Sequence, residues 1–222
     1  MPQGRGVEGL KMLILLAETE LEATAVVANC AMNRERRLAS YERELGLKIV
    51  PFLEARERPS WLDLCCGHGR ALVEAAEAVP RGEYFGVDLV GGPVDSSAVT
   101  LWVGPWRDWR APIAFDLITC VHGLHYVGDK LGALVQASGW LAPRGQLLCH
   151  FDPSSLRDPK GGPLGRAALV RLRNEGWLYC SRRRLLSRVG PAAGLNWEFV
   201  GADPHAGPNF TGQPAVNSHY RS

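Results

Sequence analysis

WLDLCCGHGRALVEAAEAVPRGEYFGVDLV, residues 61–90, decides the fold. It reads as strand, turn, helix, turn, strand. Residues 61–65 are a short apolar run broken by one acid, Asp63. Cys66-Gly67-His68-Gly69 has the composition of a tight turn. Leu72, Val73, Ala76 and Val79 then recur at helical spacing and give one apolar face. Pro80-Arg81-Gly82 stops that helix. Residues 84–87 form a second strand, which ends on an acid, Asp88.

This is half of a nucleotide-binding βαβ unit. Glycines at 67 and 69 let backbone approach a ligand with no Cβ in the way. The following helix aims its N-terminal amides at the same place. Asp88 lies 88 − 69 = 19 residues beyond the second glycine, where an acid meets the two hydroxyls of a ribose. A dinucleotide fingerprint needs G-x-G-x-x-G, and position 72 is leucine. The string D-L-C-C-G-H-G-R-A-L, with Asp88 behind it, resembles instead the first motif of class I S-adenosylmethionine-dependent methyltransferases.

Three later features continue that resemblance to about residue 152. Residues 99–103 read as a third strand, with Gly91-Gly92-Pro93 and a polar stretch before it in place of a clear helix. Gly104-Pro105-Trp106-Arg107-Asp108-Trp109-Arg110 follows. In the resembled family an acid in this loop receives the adenine amino group, and Asp108 is the acid available, although it lies later than the usual G-D pair. Trp106 or Trp109 could stack on the purine instead. Phe115-Asp116-Leu117-Ile118 opens a fourth strand that ends in His122-Gly123-Leu124-His125-Tyr126, and strand carboxyl ends are where open parallel sheets bind ligands. Asp129 can cap the next helix. Leu141-Ala142-Pro143-Arg144-Gly145 resembles the family's turn before a fifth strand over 146–150. No N-P-P-Y or D-P-P-Y is present, which lowers a reading as a methylase of nucleic-acid bases or amide nitrogens.

The flanks carry no family signal. Residues 10–58 look helical, with Asn33 as a cap, Gly46 as a helix end and a short helix over 51–57. Arg34, Arg36 and Tyr41 could face inward as part of a lid. Residues 164–175 form an amphipathic helix, and 177–189 and 195–200 read as sixth and seventh edge strands, with Arg182-Arg183-Arg184 in the first of them. The tail from 201 to 222 is rich in Gly, Pro and Asn. It reads as an ordered loop beside the site or a frayed end, with Phe210 and Tyr220 as anchors.

Composition bounds the rest. A chain of 222 residues suits one α/β domain with a small addition. A net charge of +2 is too small to argue for nucleic acid or a membrane surface. Six cysteines without a C-x-x-C read as reduced thiols of a cytoplasmic protein and give no zinc spacing. The apolar run at 12–17 is too short to span a bilayer.

The expectation is therefore a Rossmann-like, mostly parallel seven-stranded sheet with helices on both faces: an N-terminal helical cap over 1–58, then a methyltransferase core with its tail over 59–222. The resemblance implies S-adenosyl-L-methionine as cofactor, held by Asp63, Cys65, Cys66, Gly67, Gly69, Asp88, Leu89, Asp108, Trp109, Val121 and His122. It implies methyl transfer to an oxygen, nitrogen or carbon of a small molecule. His125, then His122, are the candidate bases, and Arg34, Tyr41, Tyr126 and His150 the candidate substrate contacts. No metal is expected. The competing functions are methyl transfer to tRNA or protein, a dinucleotide-dependent oxidoreductase, and a cofactor-binding protein without catalysis.

Overall fold

The computed structural model describes residues 14–28, 36–91, 96–192 and 194–221. Four short helices come first: α1 (Glu18–Glu22), α2 (Ala25–Ala28), α3 (Leu38–Leu45) and α4 (Ile49–Glu54). Then come β1 (Ser60–Leu64), α5 (Arg70–Ala78), β2 (Glu83–Asp88), β3 (Val99–Val103), β4 (Phe115–Cys120), α6 (Lys130–Gly139) and β5 (Leu141–His150). The chain finishes with β6 (Leu156–Arg157), α7 (Gly165–Asn174), β7 (Leu178–Cys180), β8 (Leu185–Val189), β9 (Glu198–Asp203) and β10 (Asn217–Arg221). No helix among the described residues is long and apolar enough to cross a membrane.

Seven strands make one sheet in the order β3-β2-β1-β4-β5-β8-β7. The first five are parallel, and β8 runs antiparallel to β5. This is the expected Rossmann-like architecture. The order reverses between β1 and β4, so the crevice that binds ligands in such sheets opens at the carboxyl ends of those two strands.

Alternation along β1 explains how the sheet is covered. Leu62 and Leu64 face one core with Ile118, Leu147, α6 and α7. Trp61 faces the other with Leu117, α3, α4 and α5. Both sides of β1 are fully buried, as a central parallel strand requires. Each large apolar side chain so covered contributes about 1.5–3 kcal/mol. Helix α5 presents Ala71, Leu72, Ala75 and Ala76 to this second core, with Val79 just past its end. The expected stripe shares Leu72, Ala76 and Val79, but Val73 is only half-buried and Ala71 and Ala75 take the face instead.

Several boundaries differ from expectation. Asn33 lies outside the described residues. Helix α3 starts at Leu38, whose N–H is capped across space by Glu74 of α5. Gly46 ends it in the left-handed conformation, as expected. Leu141 already pairs with Phe115, and the pairing resumes at Leu117 with Gln146, so the expected turn is a bulge inside β5. The Phe115 carbonyl lies 2.3 Å from where a Cβ on residue 145 would sit, which makes glycine obligatory there.

The expected strand over 177–189 is a hairpin, β7 and β8, with the three arginines at its turn. Arg184 takes a φ of +49° there. The strand expected over 195–200 leaves the main sheet altogether. It becomes β9, which pairs with β10 in a three-stranded sheet of order β6-β10-β9. The tail supplies that partner, with Tyr220 buried in the α6–α7 core.

Candidate functional site

The bend after β1 is left-handed three times: Cys65 has φ +58°, Gly67 +60° and Gly69 +65°. Gly69 is the N-cap of α5. Cysteine at 65 is the exception to glycine chemistry, and an L-residue in this region costs about 1–2 kcal/mol. Its neighbour across the crevice compensates by being small. A Cβ on Gly123 would sit 2.2 Å from the Cys65 Cβ. A hydrogen bond with the Cys120 thiol, together with burial, holds the Cys65 thiol well above its ordinary pKa, so it is a neutral wall.

Asp88 stands at the tip of β2 and accepts hydrogen bonds from Gly67 N–H at 2.8 Å and Val90 N–H at 2.9 Å. With Cys65, Leu89, Gly104, Trp106, Gly123 and Tyr126 it lines a cavity of about 60 Å³ at the switch point. The cover comes from the N-terminal segment: Glu18, Glu22 and Val27 close the cavity. Glu18 accepts the N–H groups of Gly128 and Asp129 at 3.0 and 2.7 Å, and Glu22 pairs with Arg107. Burial raises the pKa of Glu18 despite those two backbone bonds. Pockets for drug-sized ligands span roughly 300–1,000 Å³, so a whole adenosyl group needs more room than this cavity holds. The carboxylate at the tip of β2 and the Trp106 indole fit the hydroxyls and base of such a group, while Gly67 and Gly69, expected as cofactor contacts, do not line the cavity and Gly69 faces Leu101.

Other expected cofactor contacts lie elsewhere. Asp63 is fully buried on the α3 side, where it accepts the hydroxyls of Tyr41 at 2.7 Å and Thr119 at 2.6 Å. Burial raises its pKa to about 7 against those two bonds. Tyr41, expected at the substrate, is thereby committed to this network. Cys66 and Val121 are buried in the same core. Trp109 packs on Phe115 and Trp140 in the opposite core, and the Asp108 side chain is 61% exposed. Trp106, not Trp109, is the indole at the cavity, because the short helix Trp106–Asp108 turns the two rings apart.

The same short helix that floors the cavity, Gly123–Tyr126, carries the histidines. His122 precedes it with φ +61°. Its ring stacks on His150, from the end of β5, at 4.0 Å and 5°. His125 lies 5.8 Å from His122. From α3, Glu44 brings Oε2 to 2.6 Å from His122 Nε2, and Arg36 pairs with its other oxygen. Burial would raise the Glu44 pKa, but His122 and Arg36 outweigh it and hold the carboxyl below its ordinary value. Burial, with neighbouring cationic groups, lowers His125 to about 3 and His150 to about 4.

Phe210, from the tail, packs against His122 and His125, and Arg184 lies over its ring at 4.5 Å. Arg34 lies outside the described residues. Glu44 and the α1 glutamates carried no signal in the sequence, whereas Phe210 was expected as an anchor of a tail beside the site. Each reaches the site from a segment remote from the motif.

A family model described as methyltransferase domain matches residues 32–202. No curated protein matches the chain. Among solved structures, the plantazolicin methyltransferase BpumL with a pentazolic desmethylPZN analog and SAH is 15% identical, covering 56% of this chain and 51% of that one, TM-score 0.46. CalS10, an amino pentose methyltransferase from Micromonospora echinaspora bound to SAM, is 21% identical over 58% of this chain and 55% of that one, TM-score 0.42. Coclaurine N-methyltransferase is 16% identical over 50% and 33%, TM-score 0.39. The chain spans about a third to three fifths of the length of these structures.

Proposed function

The chain belongs to the methyltransferase-domain family, as a class I S-adenosylmethionine-dependent enzyme, and from that premise we propose that it methylates a small molecule held beside His122, His125 and His150. The observation that carries this reading is the shared short helix. Gly123 and Tyr126 line the cavity assigned to the adenosyl group, and His125 on the same short helix, with His122 just before it, gathers with His150 next to it.

Bound S-adenosylmethionine supplies an electrophilic methyl on a sulfonium whose departure needs no protonation. The work left to the chain is alignment and exclusion of water, worth up to several kcal/mol. Asp88 holds the ribose. An amine acceptor needs its lone pair aimed at the methyl. A hydroxyl acceptor also gives up its proton, and His122 and His125 are the imidazoles within reach. His125, kept neutral by burial, offers a lone pair to the acceptor's N–H or O–H.

A nucleic-acid substrate finds less support. Arg183 is directed at the Leu45 carbonyl, and Arg184 is occupied by Phe210 and Asp152. Calorimetry with S-adenosylhomocysteine and NADH tests the cofactor assignment, with micromolar binding of the first and none of the second expected. Binding of NADH alone would reverse it. An acceptor screen reading S-adenosylhomocysteine release, with small hydroxyl and amine compounds beside tRNA and protein fractions, tests the substrate class.

A further inference from the structure

Glu44, His122 and His150 come from three separate elements, α3 and the carboxyl ends of β4 and β5. Each presents a donor atom within 4.8 Å of the other two. We propose that these three side chains form a binding site for a first-row divalent transition metal ion, of the Zn²⁺ or Fe²⁺ class, beside His125.

Two observations beyond proximity point to a ligand. His122 Nδ1 and His150 Nδ1 are buried with no hydrogen-bond partner among the described residues, and the two residues are only 7% and 4% exposed. An unmet buried nitrogen is costly, so that of His150 wants a partner; His122 meets Glu44 through its other nitrogen, Nε2, which is the atom it offers to an ion here. Second, the carboxylate is already oriented. Arg36 takes Glu44 Oε1 and leaves Oε2 turned to His122. That is the outer-sphere support that ligating carboxylates receive.

The donor set decides the class of ion. Two imidazoles and one carboxylate suit zinc and its transition-metal neighbours; Mg²⁺ and Ca²⁺ take oxygen ligands. Donors at about 2.0–2.2 Å from one ion lie about 3.3 Å apart in tetrahedral geometry. Binding therefore requires the two stacked rings to turn out of their parallel arrangement toward the ion. Three protein ligands leave a coordination position open, the pattern of a catalytic rather than a structural site. An acceptor oxygen placed there would lose its proton more readily, to His125, since His122 and His150 are then ligands. That role rests on the methyl-transfer reading; binding of the ion does not.

The experiment uses full-length protein without a polyhistidine tag, treated with EDTA and titrated with Co²⁺. Wild type is expected to bind one Co²⁺ per chain, with visible ligand-field bands that Zn²⁺ abolishes and Mg²⁺ does not. Glu44→Gln and His150→Ala should each weaken Co²⁺ binding at least tenfold, while His205→Ala, at an exposed histidine, leaves it unchanged. Affinity for S-adenosylhomocysteine, measured in the same samples, reports folding and the other site. Absence of stoichiometric Co²⁺ binding, or equal affinity in Glu44→Gln, His150→Ala and wild type, overturns the metal site. If Asp88→Ala and wild type bind S-adenosylhomocysteine equally while Co²⁺ binding stands, the cofactor assignment fails and the metal site survives.

Discussion

The Asp88 carboxylate and the Gly67 N–H are 2.8 Å apart, a hydrogen bond that joins the tip of β2 to the bend after β1. It sets the bend's shape and holds the carboxylate at the cavity wall. Asp88→Ala removes both functions. S-adenosylhomocysteine affinity is expected to fall at least tenfold, about 1.4 kcal/mol, by calorimetry. Unchanged affinity would take the ribose role away from this residue.

Gly123 and Cys65 form a second constraint on the same cavity. Gly123→Ala drives a Cβ to 2.2 Å from the Cys65 Cβ, so one of the two segments must move. The expected loss is about 1–3 kcal/mol of stability in denaturant unfolding. Adding Cys65→Gly removes the colliding atom and should restore most of it. A double variant no more stable than Gly123→Ala alone would show that the strain lies elsewhere.

Asp63 makes stability depend on pH. Its folded pKa of about 7 stands above its ordinary 3.8, so the folded state binds the proton more tightly than the unfolded chain. That contribution is complete below pH 3.8 and is lost as pH rises through 7. Urea titrations between pH 5 and 8 should therefore show this contribution to stability declining. Asp63→Asn, which cannot ionise, should flatten the slope; an identical slope in the variant would refute the assignment.

Lys130 ties the tail to the site. It is fully buried, and Nζ donates to the carbonyls of Val127 and Val216 and to Ser218 Oγ, all within 2.8–2.9 Å. Lys130→Met leaves three acceptors without a donor and should cost about 3 kcal/mol. In a chain of this size that lowers Tm by about 6–12 °C. Hydrogen exchange should quicken first in β10; uniform protection there would contradict the tie.

Glu22 and Arg107 hold α1 over the adenosyl cavity. Glu22→Gln weakens that hold without adding bulk. S-adenosylhomocysteine should then associate several-fold faster, read by quenching of tryptophan fluorescence, since Trp106 lines the cavity. An unchanged association rate would mean that α1 does not limit entry.

The sequence by itself determined the elements whose signals are local. The strand, bend, helix and acid over 61–90 lie within one supersecondary unit, and alternation and helical periodicity state its burial directly. The tight turn at 66–69, the Gly46 helix end and the Asp129 cap were legible for the same reason: each is a property of a few neighbouring residues. Tertiary structure decided everything that depends on which remote segment arrives. Asp63 turned to Tyr41 because α3 packs on that face, and Trp109 went into the core while Trp106 reached the cavity. Residues 198–203 left the main sheet because the tail offered them a strand. Glu44 met His122 and His150 only through the packing of a helix about eighty residues upstream on the ends of two strands. No pattern along the chain encodes such a meeting, because its cause is the burial of α3's apolar side, and the polar side chains travel with it.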